Sequence, residues 1–240
     1  MKGIILAGGT GTRLRPMTNI INKHLLPVGK YPMIHYAIHK MTDAGVNDIL
    51  LITGKQSAGI YAEYIGSGEA FGARVSYRVQ EHAGGIAHAL EMAEAFVAPR
   101  EKLLVLLGDN LFEDSLRLAV EEFRARGEGA HVFLKKVDDP KAYGVPEIVD
   151  GRIVKIVEKP DTPSCDYAVT GLYMYDSSVF DIIRTLKPSA RGEMEITDVN
   201  NVYARQGKLT HSMLCGWWTD AGTHNALLEA GTRMIGRDEA

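Results

Sequence analysis

The sequence predicts an α/β fold: a Rossmann-like, mostly parallel mixed sheet with helices on both faces and a smaller antiparallel lobe over its ligand edge. Three observations lead there. Short apolar runs at 4–7, 49–52 and Leu103–Leu107 are continuous rather than alternating, as in strands buried on both sides. Between the runs, apolar residues recur at helical spacing, so strands and helices alternate through the first half. Near Pro140 the rhythm gives way to a hairpin pattern.

After the strand at 4–7, Ile34, Ile38 and Met41 mark a helix that stops at Ala44-Gly45. A second buried strand is expected at 49–52, followed by a weakly amphipathic stretch at 60–65. Val75, Tyr77 and Val79 alternate as a third strand. Ile86, Leu90, Ala93 and Val97 define one face of a continuous helix, and Leu103–Leu107 is a fourth strand. Leu116, Val120 and Phe123 give another helix before a strand at 131–137. Segments 145–149 and 152–157 flank Asp150-Gly151, a strong hairpin signal. A strand at 168–175, helices at 177–186 and 196–205, a strand at 209–213 and a helix at 223–235 complete the order. No linker, repeat or low-complexity segment interrupts it, so residues 1–240 are read as a single domain.

Composition narrows the function classes. A chain of 240 residues, 45% apolar and 24% charged, has the makeup of a soluble globular protein with a sizeable core. A net charge of −3 argues against a surface that coats nucleic acid, so any polyanion site must be a local basic pocket. No apolar stretch approaches a membrane span, and Met1-Lys2 leads directly into a strand, so neither a membrane partner nor export is expected. The two cysteines, Cys165 and Cys215, form no C-x-x-C motif, and reduced thiols in a cytoplasmic protein are the default.

The first strand empties into Gly8-Gly9-Thr10-Gly11-Thr12-Arg13-Leu14. Such a loop bends tightly and leaves backbone N–H groups free to face phosphate oxygens. It is neither of two familiar phosphate loops. The third glycine of G-x-G-x-x-G would fall on Leu14, and no Gly-Lys-Ser/Thr triplet completes a P-loop. Arg13 and, ten residues later, Lys23 are the cations beside it; a tight turn with exposed basic residues is the plainer alternative.

Asp109 directly follows the fourth strand, where a carboxylate would stand at the ligand crevice of a parallel sheet and could hold a divalent cation. A turn or helix cap is the competing explanation, and the same choice applies to Asp220 in Trp218-Thr219-Asp220-Ala221-Gly222. Lys159, between Glu158 and Pro160, ends the hairpin either as a presented ammonium or as a solvated rim residue. The charged turn Arg191-Gly192-Glu193-Met194-Glu195 is equally ambiguous. His35 and His39 have the spacing of a zinc pair, but Tyr36 replaces the glutamate of H-E-x-x-H, and a solvated helix face is expected.

Taken together, these blocks resemble sugar-1-phosphate nucleotidylyltransferases. Gly8–Pro16, Lys23-His24-Leu25-Leu26-Pro27-Val28 and Pro32-Met33-Ile34 match the opening signature. The resemblance continues through Gln80 and Gly85, Leu107-Gly108-Asp109-Asn110, Tyr143-Gly144-Val145, Glu158-Lys159-Pro160 and Val169-Thr170-Gly171-Leu172-Tyr173. Ser189-Ala190-Arg191-Gly192-Glu193 and Trp218-Thr219-Asp220-Ala221-Gly222-Thr223 extend it over nearly the whole chain. Members that transfer a thymidylyl group are the most similar. They usually carry glutamine where this chain has His24, and their base-binding loop differs at Gly84 and His88.

The resemblance implies nucleotidylyl transfer from dTTP to glucose 1-phosphate, giving dTDP-glucose for deoxysugar or polysaccharide biosynthesis, with pyrophosphate as product. Transfer from UTP, or a non-catalytic paralogue that senses nucleotide, is the alternative. The attacking phosphate monoester has a second pKa near ~6 and is already largely dianionic, so no general base is required. Positioning and charge neutralisation remain for the protein. By resemblance, Arg13 and Lys23 are catalytic, while Gly8, Gly9, Gly11, Thr12, Gln80 and Gly85 bind nucleotide. Gly144, Glu158, Lys159, Val169 and Thr170 bind sugar phosphate, and Asp109 and Asp220 hold Mg2+. Residues 1–139 then form a nucleotide-binding half and 140–240 a sugar-phosphate-binding half. A homo-oligomer is compatible with this reading. Longer relatives carry a further C-terminal segment that contributes to a regulatory site, so strong distal feedback inhibition is expected to be absent here.

Overall fold

Alternate residues of the first strand serve opposite faces of the sheet. In β1 (Lys2–Ala7), Ile4 and Leu6 join one apolar layer while Ile5 and Ala7 join the other, as a strand covered on both sides requires. The computed structural model describes residues 1–235; positions 236–240 of the second half lie outside the described residues.

The elements follow in order. The small antiparallel pair β2 (Pro27–Val28) and β3 (Tyr31–Pro32) leads into α1 (Met33–Asp43), β4 (Asp48–Gly54), α2 (Ala58–Ile65) and β5 (Arg74–Gln80). Next come α3 (Ile86–Glu91), β6 (Leu103–Leu107), β7 (Asn110–Phe112), α4 (Arg117–Ala125) and β8 (Ala130–Lys136). The second half holds β9 (Gly144–Val149), β10 (Arg152–Glu158), β11 (Tyr167–Tyr175), α5 (Val179–Thr185) and α6 (Ile196–Arg205). It ends with β12 (Leu209–Met213), β13 (Trp218–Asp220) and α7 (His224–Ile235).

Nine strands form the main sheet, in the order β10-β9-β11-β6-β1-β4-β5, with β8 on β11 and β12 on β8. The β6-β1-β4-β5 core is parallel, so its carboxyl ends, Leu107, Ala7, Gly54 and Gln80, reach one edge. Helices α1, α2 and α4 cover one face, and α3, α5 and α6 the other. The expected Rossmann-like mixed sheet is therefore present, and its antiparallel part is continuous with it through β11, which runs against β6. Asp150 and Gly151 take φ of 47° and 72°, the left-handed pair that a two-residue hairpin turn demands. A small two-stranded sheet, β7 with β13, brings Asp220 opposite Asn110 at the same edge.

One local expectation is corrected. The continuous helix from Ile86 to Val97 stops at Glu91 and resumes only as a 3-10 turn at Glu94–Phe96. Arg78 of β5 donates to the Met92 carbonyl at 2.9 Å, taking that acceptor out of the helical ladder. His35 and His39 lie on a half-exposed helix face, among aromatic rings. His35 stacks on Tyr31 at 4.0 Å and bonds Tyr64 through Nδ1 at 3.0 Å, while His39 packs against Phe71 at 5.4 Å. Neither is arranged as a metal ligand: among the described residues no three His, Cys, Asp or Glu side chains are grouped to hold a metal. No described helix is long and apolar enough to cross a membrane.

Candidate active site

The glycine loop leaves β1 at the ligand edge and is pinned by a residue that sequence reasoning missed. Asn22 Nδ2 donates to the carbonyls of Ala7, at 3.2 Å, and Gly9, at 3.1 Å. Its Oδ1 accepts from the His24 backbone N–H at 3.0 Å and from Tyr61 at 3.0 Å, with His24 Nδ1 2.7 Å away. Loop carbonyls are thus turned inward, toward protein. Asn22 also caps the one-turn helix Lys23–Leu25. Gly8 has no room for a side chain, because a Cβ there would lie 2.5 Å from Gln80 Oε1.

Charges converge beside this loop. Lys23 Nζ is ion-paired with Asp109 Oδ2, and Arg13 lies 3.5 Å from Asp220 Oδ2. Burial alone would raise the Asp109 pKa, but the Lys23 ammonium outweighs it and holds the carboxyl below the usual range. Lys23 is raised in return: burial lowers it, and Asp109 more than compensates. Asp220 goes the other way, pushed up to about 6 by burial and then by the Asp109 charge. Its Oδ1 is buried without a hydrogen-bond partner among the described residues. Two neighbouring carboxylates, one with an unsatisfied oxygen, suit a divalent cation completed by substrate oxygens and water. Beneath them His24 is 2% exposed and held neutral, its pKa lowered to about 3 by burial and by Lys23.

Asn110, also missed, ties this centre to the second half. Its Nδ2 donates to Asp109 Oδ1 at 3.1 Å, while its Oδ1 accepts from the Gly171 N–H and from Trp218 Nε1, both at 2.8 Å. A satisfied amide of this kind fixes the carboxylate it touches.

Register assembles the other side. Gly144 pairs with Glu158 across the hairpin and with Val169 on β11, so three of the expected sugar-phosphate residues meet on adjacent strands. Lys159 has φ of 45°, a left-handed conformation unusual outside glycine, and its N–H bonds the Tyr143 carbonyl at 3.0 Å. That backbone sets the direction in which Lys159, itself exposed, leaves the end of β10. Glu158 is oriented by the Thr197 hydroxyl at 2.6 Å, which the sequence did not single out, and by Arg191 of the charged turn at 3.5 Å. Arg191 is itself held by both oxygens of Glu195 at 2.8 Å. The Thr170 side chain points away from this region, its hydroxyl on the Phe133 carbonyl at 2.9 Å.

Two cavities result. The larger, about 380 Å³, is lined by Gly8, Gly9, Gly11, Thr12, Arg13, Lys23, Gln80, Gly85 and Asp109. The smaller, about 160 Å³, is lined by Gly144, Glu158, Lys159, Val169 and Arg191. They share Ile86, Leu107, Glu193 and Asp220, so the carboxylate centre stands where they meet. Gly85 shapes the junction: its φ is 97°, and a Cβ would lie 2.5 Å from the Met194 carbonyl.

The profile of the nucleotidyl transferase family matches residues 2–235. The chain belongs to that family. A glucose-1-phosphate thymidylyltransferase of Neisseria meningitidis is 43% identical over 236 residues, covering 97% of this chain and 82% of that protein. A Bacillus anthracis crystal structure assigned as a glucose-1-phosphate thymidylyltransferase, in complex with sucrose, superposes with a TM-score of 0.94 at 54% identity, covering 98% of this chain and 95% of that one. UDP-glucose pyrophosphorylase bound to UDP-glucose gives a TM-score of 0.85 at 25% identity, with 98% of each chain covered. The paired cavities of this nucleotidyl transferase therefore sit on a scaffold shared with enzymes of sugar-nucleotide chemistry.

Proposed function

We propose that the protein transfers a thymidylyl group from dTTP to glucose 1-phosphate, giving dTDP-glucose and pyrophosphate. The observation that carries the reading is the junction of the two cavities at Asp220, with Arg13, Lys23 and Asp109 beside it. A nucleotide in the larger cavity and a sugar phosphate in the smaller would present their phosphates to one another there. In this reading the backbone of Gly8, Gly9, Gly11 and Thr12 cradles the triphosphate, and Gln80 and Gly85 read the base edge. Lys159 takes the sugar phosphate, while Gly144, Glu158 and the Val169-Thr170 backbone address sugar hydroxyls. Residues 1–139 supply most of the nucleotide cavity and 140–240 most of the sugar cavity, with Asp220 crossing between them.

Arg13 and Lys23 offset the charge that develops as pyrophosphate departs, and the dianionic sugar phosphate attacks without a protein base. Asp109 and Asp220 would hold Mg2+, which when bound supplies charge neutralisation for the phosphate oxygens. Asn22 and Asn110 keep loop and carboxylate in place. The names of relatives at 43% and 54% identity support the thymidylyl reading over the uridylyl one, whose structural neighbour is 25% identical. A sensing paralogue has less support, because Arg13, Lys23, Asp109 and Asp220 line one cavity and Lys159 the cavity that adjoins it at Asp220. The test is kcat/KM for pyrophosphate release with dTTP, UTP, CTP and GTP at fixed glucose 1-phosphate. We expect dTTP first and UTP weaker, since one methyl group gives roughly 10–200-fold discrimination at best. Preference for CTP or GTP would remove Gln80 from the base site.

A further inference from the structure

Gln80 ends β5 with its amide nitrogen held. Its Nε2 lies 2.9 Å from His88 Nδ1. Its Oε1 rests against the glycine loop, so close that a Cβ on Gly8 would come within 2.5 Å of it. At 6% exposed, Gln80 is a buried residue on the wall of the larger cavity. His88 lies on α3, and its ring stacks on His82 with centroids 5.1 Å apart and planes at 23°. It reaches Gln80 over Gly84, where a Cβ would lie only 2.7 Å from His88 Nδ1.

A glutamine amide turned over keeps its shape and exchanges donor for acceptor, so its bonding partner decides which way it faces. With the amide nitrogen toward it, His88 Nδ1 is the acceptor in the ring tautomer that carries its proton on Nε2. The reversed amide would set Oε1 against that unprotonated Nδ1, acceptor to acceptor.

We propose that His88 is a positioning residue for base selection, acting through Gln80. By accepting from Gln80 Nε2 it fixes the amide so that Oε1 and the remaining Nε2–H serve the nucleotide cavity. This rests on the reading of Gln80 as the base-edge residue. Oε1 is then the acceptor for the N3–H that thymine and uracil carry, and the free N–H is the donor for a neighbouring carbonyl. Cytosine has an unprotonated N3 and an amino group beside it, and requires the amide reversed. Selectivity for the dTTP type of base edge over the CTP type thus depends on a residue that need not touch the base.

The test compares wild type, His88→Asn and His88→Leu by kcat/KM for dTTP and for CTP with glucose 1-phosphate. Asparagine keeps an acceptor near the Nδ1 position; leucine fills space without one. His88→Ala replaces the leucine variant if leucine lowers the melting temperature. The expected result is a dTTP-to-CTP ratio reduced about tenfold in His88→Leu, corresponding to one lost orienting hydrogen bond, and kept within about twofold in His88→Asn. A leucine variant with the wild-type ratio would overturn the inference. So would an asparagine variant as relaxed as leucine, since packing alone would then explain both. A wild-type enzyme that prefers CTP would overturn this inference together with the Gln80 reading, whereas the variant results bear on His88 alone.

Discussion

Lys23 is ion-paired with Asp109 on the wall of the nucleotide cavity, and this pairing makes two neighbouring carboxylates unequal. Asp109 is bonded directly by a buried ammonium and by Asn110 on its other oxygen. Asp220 has only a guanidinium at 3.5 Å, and carries one bare oxygen among the described residues. One acid is therefore held ionised and the other is driven toward protonation by the same cluster. A triphosphate entering the cavity would compete for Lys23, and a cation would compete with it for Asp109.

Asp109→Asn and Asp220→Asn should each remove most turnover, yet move stability in opposite directions. Neutralising Asp109 strands the Lys23 ammonium in a buried site, a loss in the range of roughly 3–5 kcal/mol for broken buried pairs. Asp220, raised from 3.8 to about 6, binds its proton more tightly folded than unfolded, so it costs stability above that pH and costs little below the unfolded value. Removing its charge should stabilise the metal-free protein at pH 7.5 by about 1–3 kcal/mol. Thermal melts without metal, paired with turnover across a magnesium series, check both. Near-normal rates at low magnesium in either variant would remove that residue from the metal site.

Arg13→Ala should depress kcat more than it raises KM for the nucleotide. The guanidinium is largely exposed at the mouth of the cavity and faces the carboxylate centre, where charge builds in the transition state. Each tenfold loss in kcat corresponds to ~1.4 kcal/mol of transition-state stabilisation. Steady-state kinetics with dTTP varied decides it; a raised KM with unchanged kcat would reduce Arg13 to uniform binding.

What the sequence could and could not reveal divides along a physical line. Continuous apolar runs and helical spacing made the parallel core legible, because burial on two faces constrains residue type at nearly every position. Asp150-Gly151 announced its hairpin because few residues tolerate two successive left-handed conformations. Asn22, Asn110 and Thr197 were hidden, since each acts through partners that are distant in the chain and each looks like an ordinary cap or helix residue. The break after Glu91 was hidden for the same reason: an arginine from another strand takes the Met92 carbonyl.

Stability should fall between pH 6.5 and 4, and His131 should account for much of the fall. Burial, with Arg126 and His211 adding to it, lowers its pKa from 6.5 to about 4, and its Nε2 has no partner among the described residues. The unfolded chain therefore binds the proton across that window and the folded chain does not, so stability is lost as pH drops. The full effect is at most about 3 kcal/mol. His24, lowered from 6.5 to about 3, acts in the same sense across that window and on to lower pH. Urea midpoints at pH 7.5 and 5 for wild type and His131→Asn measure it; the variant should show a smaller difference, and an unchanged one would exonerate His131.

The most direct measurement follows the α-phosphorus. With dTTP labelled there and incubated with glucose 1-phosphate and Mg2+, the label should pass into a sugar nucleotide while unlabelled pyrophosphate is released in equal amount. Label appearing as dTMP, or release of inorganic phosphate from the γ position with no sugar nucleotide formed, would contradict nucleotidylyl transfer between the two cavities.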